Sequence, residues 1–117
     1  MKFRMIVTAV DVLLATACPM LVSPVDALGG TVVSVGACGI NAQSCLQSGS
    51  IYASTQRGAG YSACTSYGAR ARNGSSYSTW NWSSTYALAS VTNTSATPDG
   101  GNHLGCVSAG CGGQVNT

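Results

Sequence analysis

Glycine-containing turn signals divide the chain into short segments, and this division limits the possible folds more than any other feature of the sequence. The segments between the turns are β-prone, most clearly residues 31–35 and 51–55. None keeps an apolar period of 3.6 long enough for a helix. We therefore predict an all-β fold, a small disulfide-linked antiparallel β-sandwich or meander. The turn signals are Gly29-Gly30, Ser48-Gly49, Arg57-Gly58-Ala59-Gly60, Asn73-Gly74, Pro98-Asp99-Gly100-Gly101 and Gly112-Gly113.

The first residues of the chain have the features of a signal peptide. A basic start is followed by an apolar stretch up to Val22 and then by small residues that a signal peptidase accepts. We predict a signal peptide over residues 1–27 and a single secreted, β-rich domain over residues 28–117. Cleavage before Cys18, with or without a lipid on that cysteine, is the alternative.

Five cysteines lie in the predicted mature domain. A domain of about 90 residues has a marginal core, and cysteines pair in an oxidising compartment. We predict two disulfides and one thiol that is free or paired with another molecule; cleavage before Cys18 would instead give three bridges. A longer closed loop removes more unfolded-state entropy, so we expect Cys106 and Cys111 to pair with earlier cysteines. The disulfide candidates are Cys38, Cys45, Cys64, Cys106 and Cys111.

Charged residues are scarce in this domain. After residue 28 they are Arg57, Arg70, Arg72 and Asp99. Three arginines cannot neutralise phosphates densely enough for nucleic-acid binding, so we expect no nucleic acid as a partner. A glycosidase needs two carboxyl groups, and the domain has one such side chain.

His103 is the single histidine of the chain and the centre of two further hypotheses. With Asp99 it could complete a serine-hydrolase triad, but the sequence has no G-x-S-x-G elbow. With Cys106 and Cys111 it could bind zinc, although exported cysteines more often form disulfides. We therefore predict a protein that is not an enzyme and uses neither a metal nor another cofactor.

Asn73-Gly74 is the strongest two-residue hairpin signal, because a type I′ turn requires positive φ at both positions. If Arg72 faces Ser75, one side of the ribbon carries the facing pairs Tyr67 and Trp80, Thr65 and Trp82, and Tyr61 and Tyr86. The other side carries Arg70, Arg72, Ser66, Cys64, Asn81 and Tyr77.

We interpret the aromatic side of this ribbon as hydrophobic core, with Trp80 packed against Tyr67. The alternative is an exposed platform that stacks on sugar rings or inserts into a membrane interface. Arg70, Arg72 and Tyr77, on the opposite side, are then the candidate contacts with an anionic wall component or lipid-linked target. Asn-x-Ser sequons, which matter only if the producer glycosylates secreted proteins, occur at Asn73, Asn81 and Asn93.

Residues 67–110 resemble lactococcin-972-type bacteriocins. In that family a Tyr-Ser-x-aromatic start, here residues 77–80, leads into a stretch of small residues, Ser, Thr and Val. A Tyr-Gly pair like Tyr67-Gly68 precedes it, and an Ala-Gly pair like Ala109-Gly110 follows. The family has histidines where this chain has Trp82 and Ala87, and it has fewer cysteines. The resemblance implies a secreted antibacterial β-sandwich that interferes with cell-wall synthesis at the septum of susceptible cells.

The two ends of the domain are also similar to those of small fungal killer-toxin-like proteins with several disulfides. The similarity covers residues 39–41, 102–106 and 111–112. Those proteins have more cysteines and clear helices.

Together these features favour a secreted antimicrobial toxin that binds a cell-wall or membrane component of competing cells. The alternative is a structural, adhesive or carbohydrate-binding module on the surface of the producer.

Overall fold

The computed structural model describes residues 26–117, and in this part of the chain every regular element is a β-strand. The all-β prediction is confirmed. The predicted signal peptide lies outside the described residues, except that Asp26 and Ala27 form the start of the first strand. No helix in the described part could cross a membrane. The strands are β1 (Asp26–Ser34), β2 (Gly39–Gln47), β3 (Ser50–Arg57), β4 (Ser66–Asn73), β5 (Ser76–Tyr77), β6 (Asn81–Ser83), β7 (Tyr86–Thr92), β8 (Gly101–Val107), β9 (Gly110–Cys111) and β10 (Val115–Asn116).

The strands form two antiparallel sheets. The first sheet has the order β1-β2-β3-β7. In the second sheet β4 and β8 are the central pair; β5 and β6 follow one another along the free edge of β4, and β9 and β10 pair with β8. Both sheets contribute side chains to one hydrophobic core, so the fold is a β-sandwich.

Small side chains fill most of this core. Six buried alanines lie between the sheets together with a few larger apolar residues. The backbone of β8 packs directly on the first sheet, because a Cβ atom at Gly101 would lie 2.4 Å from the Cβ of Ala53. Glycine at this position therefore permits the close approach of the two sheets. The core alanines are Ala42, Ala53, Ala69, Ala71, Ala87 and Ala89.

Residues along β4 alternate between the core and the outer face of the second sheet. Tyr67, Ala69 and Ala71 are buried in the core, whereas Arg70 and Arg72 are half-buried on the outer face. This is the period-two pattern of a strand with one face on the core.

The hairpin after β4 forms at the expected place with a different register. Asn73 faces Ser76, so the two central residues are Gly74 and Ser75 rather than Asn73 and Gly74. Of these, only Gly74 has positive φ, at 64°. Glycine at the first central position is the requirement of a type II′ turn, so the predicted type I′ turn is wrong. The carboxylate of Asp99 holds this turn by accepting a hydrogen bond from the Gly74 N–H.

The register changes again between β5 and β6. Ser78 contacts Ala71 twice: its N–H donates to the Ala71 carbonyl, and its Oγ accepts from the Ala71 N–H, both at 3.0 Å. Beyond this interruption Gly68 faces Trp82 and Tyr67 faces Ser83. The predicted pairs of Tyr67 with Trp80, Thr65 with Trp82 and Tyr61 with Tyr86 are therefore wrong; Tyr86 faces Gln56 in the first sheet.

The disulfides correct two further predictions. Cys38 pairs with Cys64, but Cys106 pairs with Cys111 rather than with an earlier cysteine. These last two residues face each other directly in the β8–β9 hairpin, so local geometry decides the pairing against loop entropy. Cys45 is disulfide-bonded as well, and none of the cysteines in residues 26–117 is the expected unpaired thiol.

The turn gives a direct test of the hairpin. We expect Gly74→Val to destabilise the protein by about 2 kcal/mol more than Ser75→Val, because a β-branched residue resists positive φ. Urea denaturation of the two variants measures the difference. Equal losses of stability would contradict this turn assignment.

Candidate functional site

Four side chains with aromatic or cationic groups meet on the outer face of the second sheet. Arg70 comes from β4, Tyr77 from β5, Trp80 from the connection between β5 and β6, and Trp82 from β6. We call this set the aromatic–arginine surface. It brings together side chains from a single stretch of chain that folds back over β4.

The four groups of this surface are stacked in a row. The guanidinium carbon of Arg70 lies 4.0 Å from the centre of the Tyr77 ring and 4.8 Å from that of Trp80. Trp80 stacks on Trp82, with 5.7 Å between ring centres and 26° between ring planes. Cation–π attraction and offset stacking both stabilise this order. Tyr77 and Trp82 keep 48% and 49% of their surface exposed, so the row is open to solvent.

A glycine allows the Trp82 ring to lie close to the backbone of β4. Gly68 is on the outer face of β4, opposite Trp82, and a Cβ atom there would lie 2.6 Å from the indole ring. Any side chain at this position would push the ring away.

The guanidinium of Arg70 is fixed along one edge by a row of amides. Its Nε and Nη2 donate to the Oδ1 of Asn102, at 3.1 and 2.9 Å. Asn102 donates in turn to Asn116 at 2.8 Å, and Gln114 donates to the same oxygen at 3.0 Å. The row follows from strand register, because Arg70 faces Asn102 in β8 and Asn102 faces Asn116 in β10. Nη1 of Arg70 takes no part in these bonds.

Arg70 and Arg72 differ in their electrostatic partners. Arg72 forms an ion pair with Asp99, with 3.3 Å between Nη1 and the carboxylate. Within residues 26–117 this is the one ion pair, and Arg70 has no acidic partner there. The positive charge of the surface is therefore that of Arg70.

The structure keeps one predicted grouping, that of Arg70 with Tyr77, and breaks another, that of Tyr67 with Trp80. Arg70 and Tyr77 share a face and contact each other. The prediction that Tyr67 lies in the core is confirmed: it is 2% exposed, and its hydroxyl accepts a hydrogen bond from the Cys64 N–H. The prediction that Trp80 packs against it there is wrong, because Trp80 lies on the outer face beside Arg70.

The amides that fix Arg70 were missed by reading the sequence. Asn102 and Asn116 are unremarkable polar residues in the printed chain, and only the register of β4, β8 and β10 places them beside the guanidinium. The pattern of apolar and polar residues cannot predict such a row of amides, because asparagine and glutamine are equally common in exposed loops.

His103 lies in the core of the sandwich. It is fully buried, with Nδ1 2.8 Å from the Thr55 hydroxyl and Nε2 2.7 Å from the Thr117 hydroxyl. The Thr117 hydroxyl donates to Ser44 at 2.9 Å, so His103 in the second sheet connects to two strands of the first. Burial lowers the pKa of His103 to about 4.

These contacts leave no support for the triad and zinc hypotheses. Asp99 interacts with Arg72 and Gly74, and Cys106 and Cys111 form a disulfide. In the described part of the chain, no three His, Cys, Asp or Glu side chains are grouped as metal ligands.

A cavity of about 310 Å³ lies at the end of the sandwich, between the β1–β2 loop and the β8–β9 hairpin. Its walls are apolar or glycine residues, among them Val35 and Val107, with Cys38 and Cys111. It offers no charged side chain and no side-chain amide or hydroxyl to orient a ligand.

No protein-family model matches the chain, and no curated protein or solved structure shows significant similarity to it.

The contact between Gly68 and Trp82 can be tested by adding one methyl group. We expect Gly68→Ala to displace the Trp82 ring and raise its accessibility to a soluble fluorescence quencher, because the methyl group would overlap the indole. Gly113→Ala is the matched control, since no atom lies within 4 Å of a Cβ at that position. Unchanged quenching in the Gly68 variant would disprove the contact.

Because His103 is buried, we expect the protein to lose stability in acid. The unfolded chain takes up a proton near the usual pKa of 6.5, whereas the folded protein resists it down to about 4. Stability should therefore fall by roughly 3 kcal/mol as the pH drops through this window. The chain has no glutamate and no other histidine, so the window is nearly free of other titrations.

Urea titrations at several pH values measure this dependence. His103→Gln should remove most of it, whatever the absolute stability of the variant. A variant that kept the same dependence would assign the effect to another group.

Proposed function

We propose that this protein is a secreted, non-enzymatic binding protein that attaches to a polysaccharide of the cell envelope through the aromatic–arginine surface. The observation that carries the proposal is the row of stacked rings on an open sheet face, with Tyr77 and Trp82 half exposed. Exposed aromatic groups of this kind mark interaction sites, and indole faces stack on the apolar faces of sugar rings.

The polar surroundings of the rings favour a sugar ligand over a membrane. Arg70 stands within the row, and Asn102 and Asn116 continue it across the sheet. Insertion into lipid would remove the guanidinium from water without an opposing charge, which is costly. A hydrated polysaccharide avoids this cost, because its polar groups and bound water stay beside the guanidinium while its rings stack on the exposed aromatic side chains.

The chemistry of the surface supports binding rather than cleavage. Its four side chains include no carboxylate or histidine, and the nearby Asp99 is occupied by Arg72 and Gly74. Such a set can hold a sugar but lacks the pair of carboxyl groups with which most glycosidases cleave one.

The resemblance of residues 67–110 to lactococcin-972-type bacteriocins favours competing cells as the source of the polymer. We therefore propose an antibacterial role for the attachment. Adhesion to the producer's own wall is the rival role, and it uses the same surface.

Trp82→Ala tests the attachment. In a sedimentation assay with purified cell walls, we expect this substitution to weaken binding at least about tenfold, because one stacking ring is lost. The melting temperature should change little, since the ring lies outside the core. Tyr61→Ala is the matched control: Tyr61 is 37% exposed, but it lies in the loop between β3 and β4. Equal binding by the two variants would exclude this surface.

Growth inhibition distinguishes the two roles. We expect the purified secreted protein to inhibit related strains and the Trp82→Ala protein to lose this activity in parallel with wall binding. Wall binding without inhibition of any strain would overturn the antibacterial role and favour adhesion.

A further inference from the structure

The charge of Arg70 narrows the class of polysaccharide that the surface would bind. The guanidinium is half-buried between two rings, and its row of partners consists of neutral amides. Among the described residues after β1, Asp99 is the single acidic side chain, and it pairs with Arg72. A partly desolvated cation without an acidic partner is best compensated by a negative group on the ligand.

The hydrogen bonds of Arg70 also determine which edge of its guanidinium can bind the negative group of the ligand. Asn102 occupies Nε and one hydrogen of Nη2. The remaining N–H groups, on Nη1 and the other side of Nη2, form the end of the guanidinium. Two parallel N–H groups of this kind match the two oxygens of a carboxylate. Stacking and the amide row hold the fork in place before binding, so little side-chain entropy is lost.

The spacing of the row favours a carboxylate attached directly to a sugar ring. The guanidinium carbon lies 4.0 Å from the centre of the half-exposed Tyr77 ring. In a uronic acid the carboxylate is bonded to the ring, so a single sugar residue can stack on Tyr77 and reach Arg70. In a phosphate-linked polymer the anion lies between units, away from the ring that stacks.

We infer that the ligand is an acidic polysaccharide in which uronic acid carboxylates pair with Arg70 while the sugar rings stack on the exposed parts of Tyr77 and Trp82. This inference rests on the function proposed above and names its substrate class.

The test compares one polymer with and without its charge. Polygalacturonate and its methyl-esterified form share a backbone, and only the first carries free carboxylates. We expect the full secreted protein to bind polygalacturonate at least about tenfold more tightly than the ester in affinity electrophoresis. Added sodium chloride should weaken the first interaction and leave the second nearly unchanged.

Arg70→Gln should abolish the preference for the free acid while residual binding to the ester remains. Arg57→Gln is the matched control, because Arg57 is exposed and its Nε donates to the carbonyl of Tyr61, away from the rings. If Arg70→Gln fails to fold, the inference is still tested by comparing the binding of the wild-type protein to polygalacturonate and to its ester.

The outcomes separate this inference from the proposed function. Equal binding of both polymers, lost in Trp82→Ala, would overturn the inference and leave the proposed function intact. Tighter binding to poly(glycerol phosphate) than to polygalacturonate would overturn the choice of a carboxylate. Failure to bind polygalacturonate, its ester, poly(glycerol phosphate) and purified walls would overturn both.

Discussion

The alternation of side chains along β4 is the constraint on which the rest of the structure depends. Its inward residues, Tyr67 and two alanines, complete the core, while its outward residues carry Gly68, Arg70 and Arg72. A shift of one residue would exchange the two sets and place an arginine between the sheets. The same pairing that buries Tyr67 therefore presents Arg70 to the rings above it, so stability and the candidate site depend on one register.

The sequence was sufficient for the fold class and for the strands around the clear turns, but it did not determine the register. Asn73-Gly74 correctly located a hairpin, yet the contact of Asp99 with Gly74 belongs to a turn centred one residue later. The double contact of Ser78 with Ala71 then shifted β6 again. The first contact joins residues distant in the sequence, and the second interrupts the ladder of backbone hydrogen bonds. Neither leaves a trace in the alternation of apolar and polar residues along the chain. The first shift keeps each side chain on its expected face; the second, of one residue, moves Trp80 from the expected core face to the outer face.

Small side chains explain how so few large apolar residues form a core. Alanines let the sheets approach, and the remaining space holds the buried line from Thr55 through His103 to Thr117 and Ser44. Buried polar groups of this kind cost stability unless each is hydrogen-bonded. Here they join the second sheet to both central strands of the first, so polar contacts supply connections that a larger apolar core would supply through packing.

The Cys38–Cys64 bridge has a consequence for proteolysis. Arg57 is the exposed arginine of the described chain, and it lies between these two cysteines, at the end of β3. Arg70 and Arg72 are held in the middle of a sheet, where a protease cannot easily take up the backbone. Trypsin would therefore cut first after Arg57, and the two pieces would stay covalently joined. A protein nicked in this way would migrate as an intact chain until its disulfides were reduced.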